Sequence, residues 1–426
     1  SLFLMENYSV MFLLQKILTQ KKGCGRMDRK KKYRHVLWWI IGLDLLAVIW
    51  LGYRYLDRKI PDELYVSEGQ EQQVQKVLDY PLLSFDDAIT VSGDGSYLLS
   101  GKIMGVLPFK DVKVSPADST TVFVSGSTVG IYMETEGVLV IDTGEIISEE
   151  GCVENPARNI VKPGDYIVAF NDETVSNKKE LAEDLEKLNQ PQVILEVLRN
   201  GQKIPLSLNP VKDIKGEYKL GIWVRDNTQG IGTLTFVDKN GNYGALGHGI
   251  SDVDTGELLH IDDGNLYQAQ IVGIQKGSSG NPGELAGLIH YETEKIIGSI
   301  EKNCEQGIYG KITDASGEIN FQQMEVAYKQ ELEVGEASVL CCVDGKVREF
   351  AAEIMRIDMN HEDANKSFVI QVTDAELLEI TGGIVQGMSG SPVIQNGKFV
   401  GAITHVFVQD STGGYGIFAE NMLKNI

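Results

Sequence analysis

Gly387-Met388-Ser389-Gly390-Ser391-Pro392 is the stretch on which the reading of this chain turns. It reads G-x-S-G-x-P, a turn of small residues around one central hydroxyl. A serine nucleophile needs an exposed Oγ on a tight turn, and backbone N–H groups free to point at the oxyanion of a tetrahedral intermediate. Glycines on both sides of Ser389 supply that freedom, and Pro392 fixes φ where the chain leaves for the apolar run Val393-Ile394. An ordinary Gly/Ser/Pro turn between two strands has the same composition. The remaining chain has to separate the two readings.

A nucleophilic serine needs a base, and imidazole is the usual one. Of six histidines, His248 stands in Gly244-Ala245-Leu246-Gly247-His248-Gly249-Ile250-Ser251-Asp252, where small neighbours let a substrate approach the ring. His405 ends the strand-like run Val400 to Thr404, so Thr404 and His405 are expected to line the substrate cleft, with Gly401 and Ala402 as small pocket walls. His35 lies beside a membrane-like segment, and His260, His290 and His361 stand in polar contexts that read as surface. The N–H groups of Gly387 and Ser389 are the expected oxyanion hole. His248 before Ser389, with acids between them, is the order of chymotrypsin-like peptidases and not of subtilisin or the α/β-hydrolases. The serine turn also resembles the G-x-S-G-[GS]-P turn of chymotrypsin-like enzymes.

The 426 residues allow two to three domains, and 46 glycines with 42% apolar and 23% charged residues fit a folded, mainly β chain. A net charge of −21 argues against nucleic acid as a partner, because it repels the phosphate backbone. Cys24, Cys152, Cys304, Cys341 and Cys342 show no C-x-x-C spacing, so neither a disulfide framework nor a metal site is expected, and nothing calls for a cofactor.

Residues 1–35 form a basic N-terminal segment on the cytoplasmic side, whose first 26 residues read as an upstream extension ahead of Met27. Val36 to Tyr53 is an 18-residue apolar run, VLWWIIGLDLLAVIWLGY, long enough to span a bilayer core as an anchor or uncleaved signal. Lys30, Lys31, Lys32 and Arg34 precede it, which by the positive-inside rule leaves everything beyond about residue 55 outside the cytoplasm. Asp44 is the dissenting residue, costing about 2.5–3.5 kcal/mol at a bilayer centre. Residues 54–115 read as a linker and small β module with runs at 88–91, 97–99 and 111–114.

Residues 116–212 contain a Gly-Ser-Thr-Val-Gly-Ile turn at 126–131, then Lys162-Pro163-Gly164-Asp165-Tyr166-Ile167, a helix with Leu181, Leu185 and Leu188 on one face, and a closing hairpin at Arg199-Asn200-Gly201-Gln202. That order resembles a PDZ domain. The resemblance implies a peptide groove at Ser127, Thr128, Val129, Gly130 and Ile131, where a ligand would add a strand. From 213 to 426 short strands and Asn-Gly turns (Asn240-Gly241, Asn396-Gly397) suit a double β-barrel peptidase domain. The fold expected is therefore mainly β: a PDZ domain, then a chymotrypsin-like double barrel, behind one transmembrane helix.

Several longer motifs narrow the reading. The run from Arg225 to Phe236 (RDNTQGIGTLTF), the A-L-G-H-G-I-S-D stretch, Lys276 to Glu284 (KGSSGNPGE) and Thr381-Gly382-Gly383-Ile384-Val385-Gln386 together resemble the stage IV sporulation protein B family of signalling serine peptidases. The resemblance spans roughly residues 30 to 426. It implies a peptidase exported into the space between the two forespore membranes. There it cleaves itself and then a membrane-bound regulator of an intramembrane protease, releasing pro-sigma-factor processing. Residue by residue it assigns Ser389 as nucleophile, His248 as base and Asp374 as acid. Asp374, 15 residues before the serine in Val372-Thr373-Asp374-Ala375-Glu376, also reads as a helix N-cap, and Asp252 and Asp314 remain alternatives. Two other functions fit parts of the pattern: a PDZ scaffold with a catalytically silent barrel, and an HtrA-like quality-control protease, whose PDZ domain usually follows the peptidase.

Overall fold

A computed structural model of the chain describes residues 26–66, 71–86, 90–91, 95–117, 119–313 and 319–426. The proposed extension up to residue 25, Cys24, Asp314 and the first half of the 88–91 run lie outside the described residues.

Helix α1, Arg26–Lys59, contains the apolar run. Within Lys31–Lys59 an 18-residue window reaches a mean hydropathy of 1.9, and among the described residues this is the one helix long and apolar enough to cross a membrane.

The body beyond it is built largely from two six-stranded barrels. The first uses β1 (Thr121–Thr143), β2 (Ile222–Val237), β3 (Asn242–Ala245), β4 (Ile261–Gln275), β5 (Glu284–Ile289), β6 (Ile296–Cys304) and β7 (Gly307–Ile312). Pairing runs β1-β2-β3-β7-β6-β4, and β4 returns to β1, which closes the ring and leaves β5 as the partner of β4. Val129, Ile131, Met133, Leu234, Tyr243, Leu266, Ile300 and Ile308 fill it. The second is a closed barrel in the order β8 (Gly335–Cys342), β9 (Val347–Ile357), β10 (Phe368–Val372), β13 (Gly413–Phe418), β12 (Lys398–Val406) and β11 (Pro392–Gln395). Its core includes Val339, Phe350, Ile354, Phe368, Ile370, Val393, Ile403 and Phe418. Each such side chain contributes about 1.5–3 kcal/mol on burial. Asn396 and Gly397 both take positive φ between β11 and β12, a two-residue hairpin as the sequence predicts. The fold is a mainly β, chymotrypsin-like double barrel.

The expected boundary between residues 212 and 213 is corrected. Strands β1 and β2 are long, 23 and 16 residues, and run side by side from Phe123↔Val237 to Thr143↔Ile222. Their one end belongs to the first barrel. At the other, Val138 and Leu139 pair with the strand Tyr166–Phe170, which continues into Val193–Arg199 and Gln202–Leu208. Residues 144–221, which hold most of the segment resembling a PDZ domain, are thus an insertion between the first two strands of the first barrel. It carries helix α2, Lys178–Glu186, which starts at Asn177, whose side chain accepts the Glu180 N–H at 3.0 Å, and buries Leu181.

The stretch 126–131 is not a turn but the middle of β1. Gly130 lies opposite Ile231 on one side and Tyr267 on the other, so both backbone edges are already paired. No ligand strand can be added along Val129 to Ile131, and Ser127 and Thr128 continue the same strand paired to β2, so the stretch Ser127 to Ile131 does not form the expected peptide groove. The small module before the barrels is a five-stranded sheet whose described members include Glu63–Val66, Tyr97–Ile103 and Leu107–Pro116. It is tied to the second barrel through Lys76 and Glu333, 2.7 Å apart, and the Asp62 N–H donating to the Asn360 side chain at 3.1 Å.

Candidate active site

Ser389 stands on the turn that joins helix α3 (Ala375–Thr381) to β11. Asp374 caps the start of α3 and Gly382, in the left-handed region, ends it. The turn is then stitched to the first barrel by β2. The Thr233 N–H donates to the Ser389 carbonyl at 3.1 Å, the Thr233 hydroxyl to the Gly387 carbonyl at 2.9 Å, and the Thr235 hydroxyl to the Gly390 carbonyl at 2.7 Å. Gly390 has φ +92°, and a Cβ there would lie 2.3 Å from the Thr233 carbonyl oxygen, so the turn tolerates only glycine at this place.

These contacts leave a specific pair of donors free. The Met388 N–H goes to the Val385 carbonyl at 3.0 Å, Gly390 N–H to Ile403 at 2.8 Å and Ser391 N–H to Met388 at 2.9 Å. Among the described residues no protein acceptor takes the N–H of Gly387 or of Ser389. They are the two expected for an oxyanion hole.

His248 follows β3 after Leu246 and Gly247, both at positive φ. The ring is half-buried, and its Nδ1 lies 2.8 Å from the Gly249 carbonyl, which accepts the Nδ1–H and fixes the tautomer with Nε2 unprotonated. Burial lowers the His248 pKa below its ordinary value, against an opposing contribution from Gly249, so the ring is neutral at neutral pH. A Cβ on Gly249 would sit 2.3 Å from Leu258, which explains a glycine where the ring is held by backbone. The ring of His405, at the end of β12, lies beside it with centroids 4.8 Å apart.

Both barrels open onto one cleft of about 470 Å³. Its lining includes Ser389, Gly387, His248, Thr404 and His405, so the structure brings these expected residues together. Ile131, Ile231, Ile250, Pro282, Ile384 and Val406 give it apolar walls. The Ser389 hydroxyl donates to the Thr404 carbonyl at 2.8 Å, not to His248. Gly401 and Ala402 do not line the cleft. Ala402 is fully buried, and the space beside Gly401 is filled by the Ile417 carbonyl and Phe368.

The assigned acid is not at the imidazole. Asp374 Oδ1 accepts the N–H groups of Glu376 at 2.9 Å and Leu377 at 3.1 Å, and Oδ2 that of Ala351 at 3.3 Å. The Leu377 N–H is the largest cause of its lowered pKa. Asp252 is equally engaged. It takes the N–H groups of Asp254 and Thr255 and pairs with Arg225. Burial raises the Asp252 pKa, but these donors outweigh it and the net shift is downward. Among the described residues no carboxylate bonds the His248 ring. His260 is exposed, and neither it, His290 nor His361 lines the cleft.

Sequence reasoning missed two supports. Thr233 and Thr235 were visible only as part of a motif. The Lys276 to Glu284 motif is the tip of the β4–β5 hairpin, which reaches from the first barrel to the serine loop: Leu285 N–H to Gln386 carbonyl 2.9 Å, Gln386 N–H to Gly283 carbonyl 2.8 Å, Gly277 N–H to Thr381 carbonyl 2.8 Å. A second groove, of about 360 Å³, lies between helix α2 and residues 219–224 at the start of β2, with Leu181, Leu185, Leu220, Ile222 and Trp223 in its walls.

Residues 216–423 match the family model of the SpoIVB peptidase S55. This region is a SpoIVB-type serine peptidase. The S55 match begins at residue 216, whereas the first barrel takes β1 from upstream of it. Among solved structures, the active form of the Rv3671c protease from M. tuberculosis is 16% identical, with 47% of this chain and 74% of that one covered and a TM-score of 0.26. The HtrA-type protease AlgW with a decapeptide is 14% identical over 47% of this chain and 53% of that one, with a TM-score of 0.24.

Proposed function

We propose that this chain is a membrane-held signalling serine endopeptidase whose bulk lies outside the cytoplasm. It cuts itself and then a membrane-bound regulator of an intramembrane protease during endospore formation. The observation that carries the catalytic part is one cleft in which Ser389, the neutral ring of His248 and two free N–H groups converge. The motif resemblance supports the signalling part, and the lysines ahead of the apolar run within α1 support the topology.

In the proposed mechanism the Ser389 hydroxyl turns from the Thr404 carbonyl to His248 Nε2, which takes its proton as Oγ attacks the peptide carbonyl. The Gly387 and Ser389 N–H groups hold the oxyanion. The imidazolium, kept oriented by the Gly249 carbonyl, gives the proton to the leaving amine. Water then repeats the cycle on the acyl-enzyme. Asp374 acts at one remove in this scheme. By capping α3 it sets where the serine loop starts.

The inserted segment is proposed to be a PDZ-type module whose peptide groove is the one between α2 and residues 219–224. Among the described residues no strand pairs with the outer edge of β2 from Ile222 to Gly232. Incubation of purified full chain, with N-terminal sequencing of the products, tests the proposal. Fragments that accumulate with wild type and are absent with Ser389→Ala are expected. Identical fragments from both forms would contradict self-cleavage.

A further inference from the structure

We infer that His248 and His405 together form a binding site for a borderline-soft divalent cation of the Zn²⁺ class, and that the cation switches the peptidase off by occupying its base. The binding half of this inference stands on the two rings alone. Only its effect on activity rests on the catalytic reading of His248.

The rings have centroids 4.8 Å apart and planes tilted by 33°. Two imidazoles bound to one tetrahedral zinc, with Zn–N bonds of about 2.0–2.1 Å, place their centroids about 5 Å apart. Both rings face the same cleft of about 470 Å³, which leaves room for solvent or a third ligand. Ser389 lies in the same wall.

The nitrogen chemistry agrees. Gly249 accepts from His248 Nδ1, and a backbone carbonyl on the far nitrogen is the usual support of a metal-bound histidine, leaving Nε2 with its lone pair outward. Among the described residues no hydrogen-bond partner falls to that Nε2 or to either ring nitrogen of His405. Lys366, a positive charge that acts on His405, is itself paired with Asp363 at 2.6 Å. The chain's net charge of −21 favours a cation. Imidazole donors select zinc, copper or nickel over magnesium or calcium, which prefer oxygen. With Nε2 bound to a metal, His248 has no lone pair for the Ser389 proton.

The test uses full-length chain without a polyhistidine tag, in detergent micelles at pH 7.5. Zinc competition against a chromophoric chelator reads binding, and the rate of labelling by a fluorophosphonate reads the serine. One zinc per chain is expected in wild type and in Ser389→Ala, with affinity at least about tenfold weaker in both His248→Gln and His405→Gln. His405→Cys, which keeps a zinc ligand, should bind as wild type does. Zinc should slow wild-type labelling, magnesium should not, and His405→Gln should need about tenfold more zinc for the same slowing. Equal zinc binding by wild type and both glutamine variants would mean adventitious surface binding only and would overturn the inference. So would weaker binding by His405→Cys equal to that of His405→Gln. If wild type failed to label even without metal, the catalytic reading would fall, while chelator competition would still decide the site.

Discussion

The stretches at 126–131 and 387–392 look alike in sequence and differ completely in structure. Gly-Ser-Thr-Val-Gly-Ile and Gly-Met-Ser-Gly-Ser-Pro are both small, hydroxyl-bearing and framed by glycine. The second is a turn that exposes a serine, whereas the first is the centre of a 23-residue strand paired on both edges. Two features separate them. At 387–392 glycines take positive φ on both sides of Ser389 and a proline follows, so the backbone cannot continue as a strand, whereas at 126–131 the one positive-φ glycine, Gly126, sits at a bulge in the pairing and the chain runs on extended. At 126–131 the β-branched Val129 and Ile131 fall on alternate positions facing the core, a strand pattern that Gly126 and Gly130 partly mask. Glycine marks a turn only where its neighbours also refuse extended structure.

The first way to break this comparison is at the base of the serine site. His248→Ala should lower peptide hydrolysis about 10⁴-fold with the fold intact. A loss of a few-fold, measured on protein with an unchanged far-UV spectrum, would remove His248 from the mechanism. The second probes the other stretch. Val129 is fully buried, so Val129→Asp should cost more than about 4 kcal/mol in denaturant unfolding. An unchanged midpoint with loss of peptide binding would restore the groove at 126–131.

Asp374 sharpens the comparison at smaller scale. As a cap it should lose about 1 kcal/mol on Asp374→Ala and almost nothing on Asp374→Asn, since asparagine caps as well as aspartate. An orienting acid would instead lose about 10⁴-fold in rate as asparagine. Specific activity of Asp374→Asn decides between them.

The smallest effect is on pH. The folded-state pKa of His248 is lowered, so the base stays neutral below the ordinary value. Hydrolysis should hold level from pH 8 down to about 6.5 and fall only below it. An acid limb centred above 6.5 would contradict this. For stability the unfolded chain takes up protons on His248 and His405 first, so stability falls as pH drops below about 6.5 toward the lowered folded-state values, about 4 for His405.

Much of the serine site was legible because its signals are local. The glycines around Ser389, the small residues around His248 and the Asn396-Gly397 hairpin each act within a few residues. Cleft positions Thr404 and His405 followed from chain order. The domain boundary was not legible, because it depends on β1 and β2 pairing across about 100 residues and leaving one barrel for the inserted segment. The role of Asp374 shows the same limit in reverse. Its capping is written in Asp374-Ala375-Glu376, and only the structure shows that its oxygens are taken up by backbone N–H groups. Thr233 and Thr235 carry no local mark of the turn they hold, since their partners lie more than 150 residues away.

The central claim is that Ser389 is a nucleophile activated in this cleft, and covalent labelling tests it most directly. Full-length chain treated with a fluorophosphonate, digested and mapped by mass spectrometry, should carry one label, on Ser389. The label should be absent in Ser389→Ala and strongly slowed in His248→Ala. Folded wild type that takes no label, or takes it on another serine, would contradict the account.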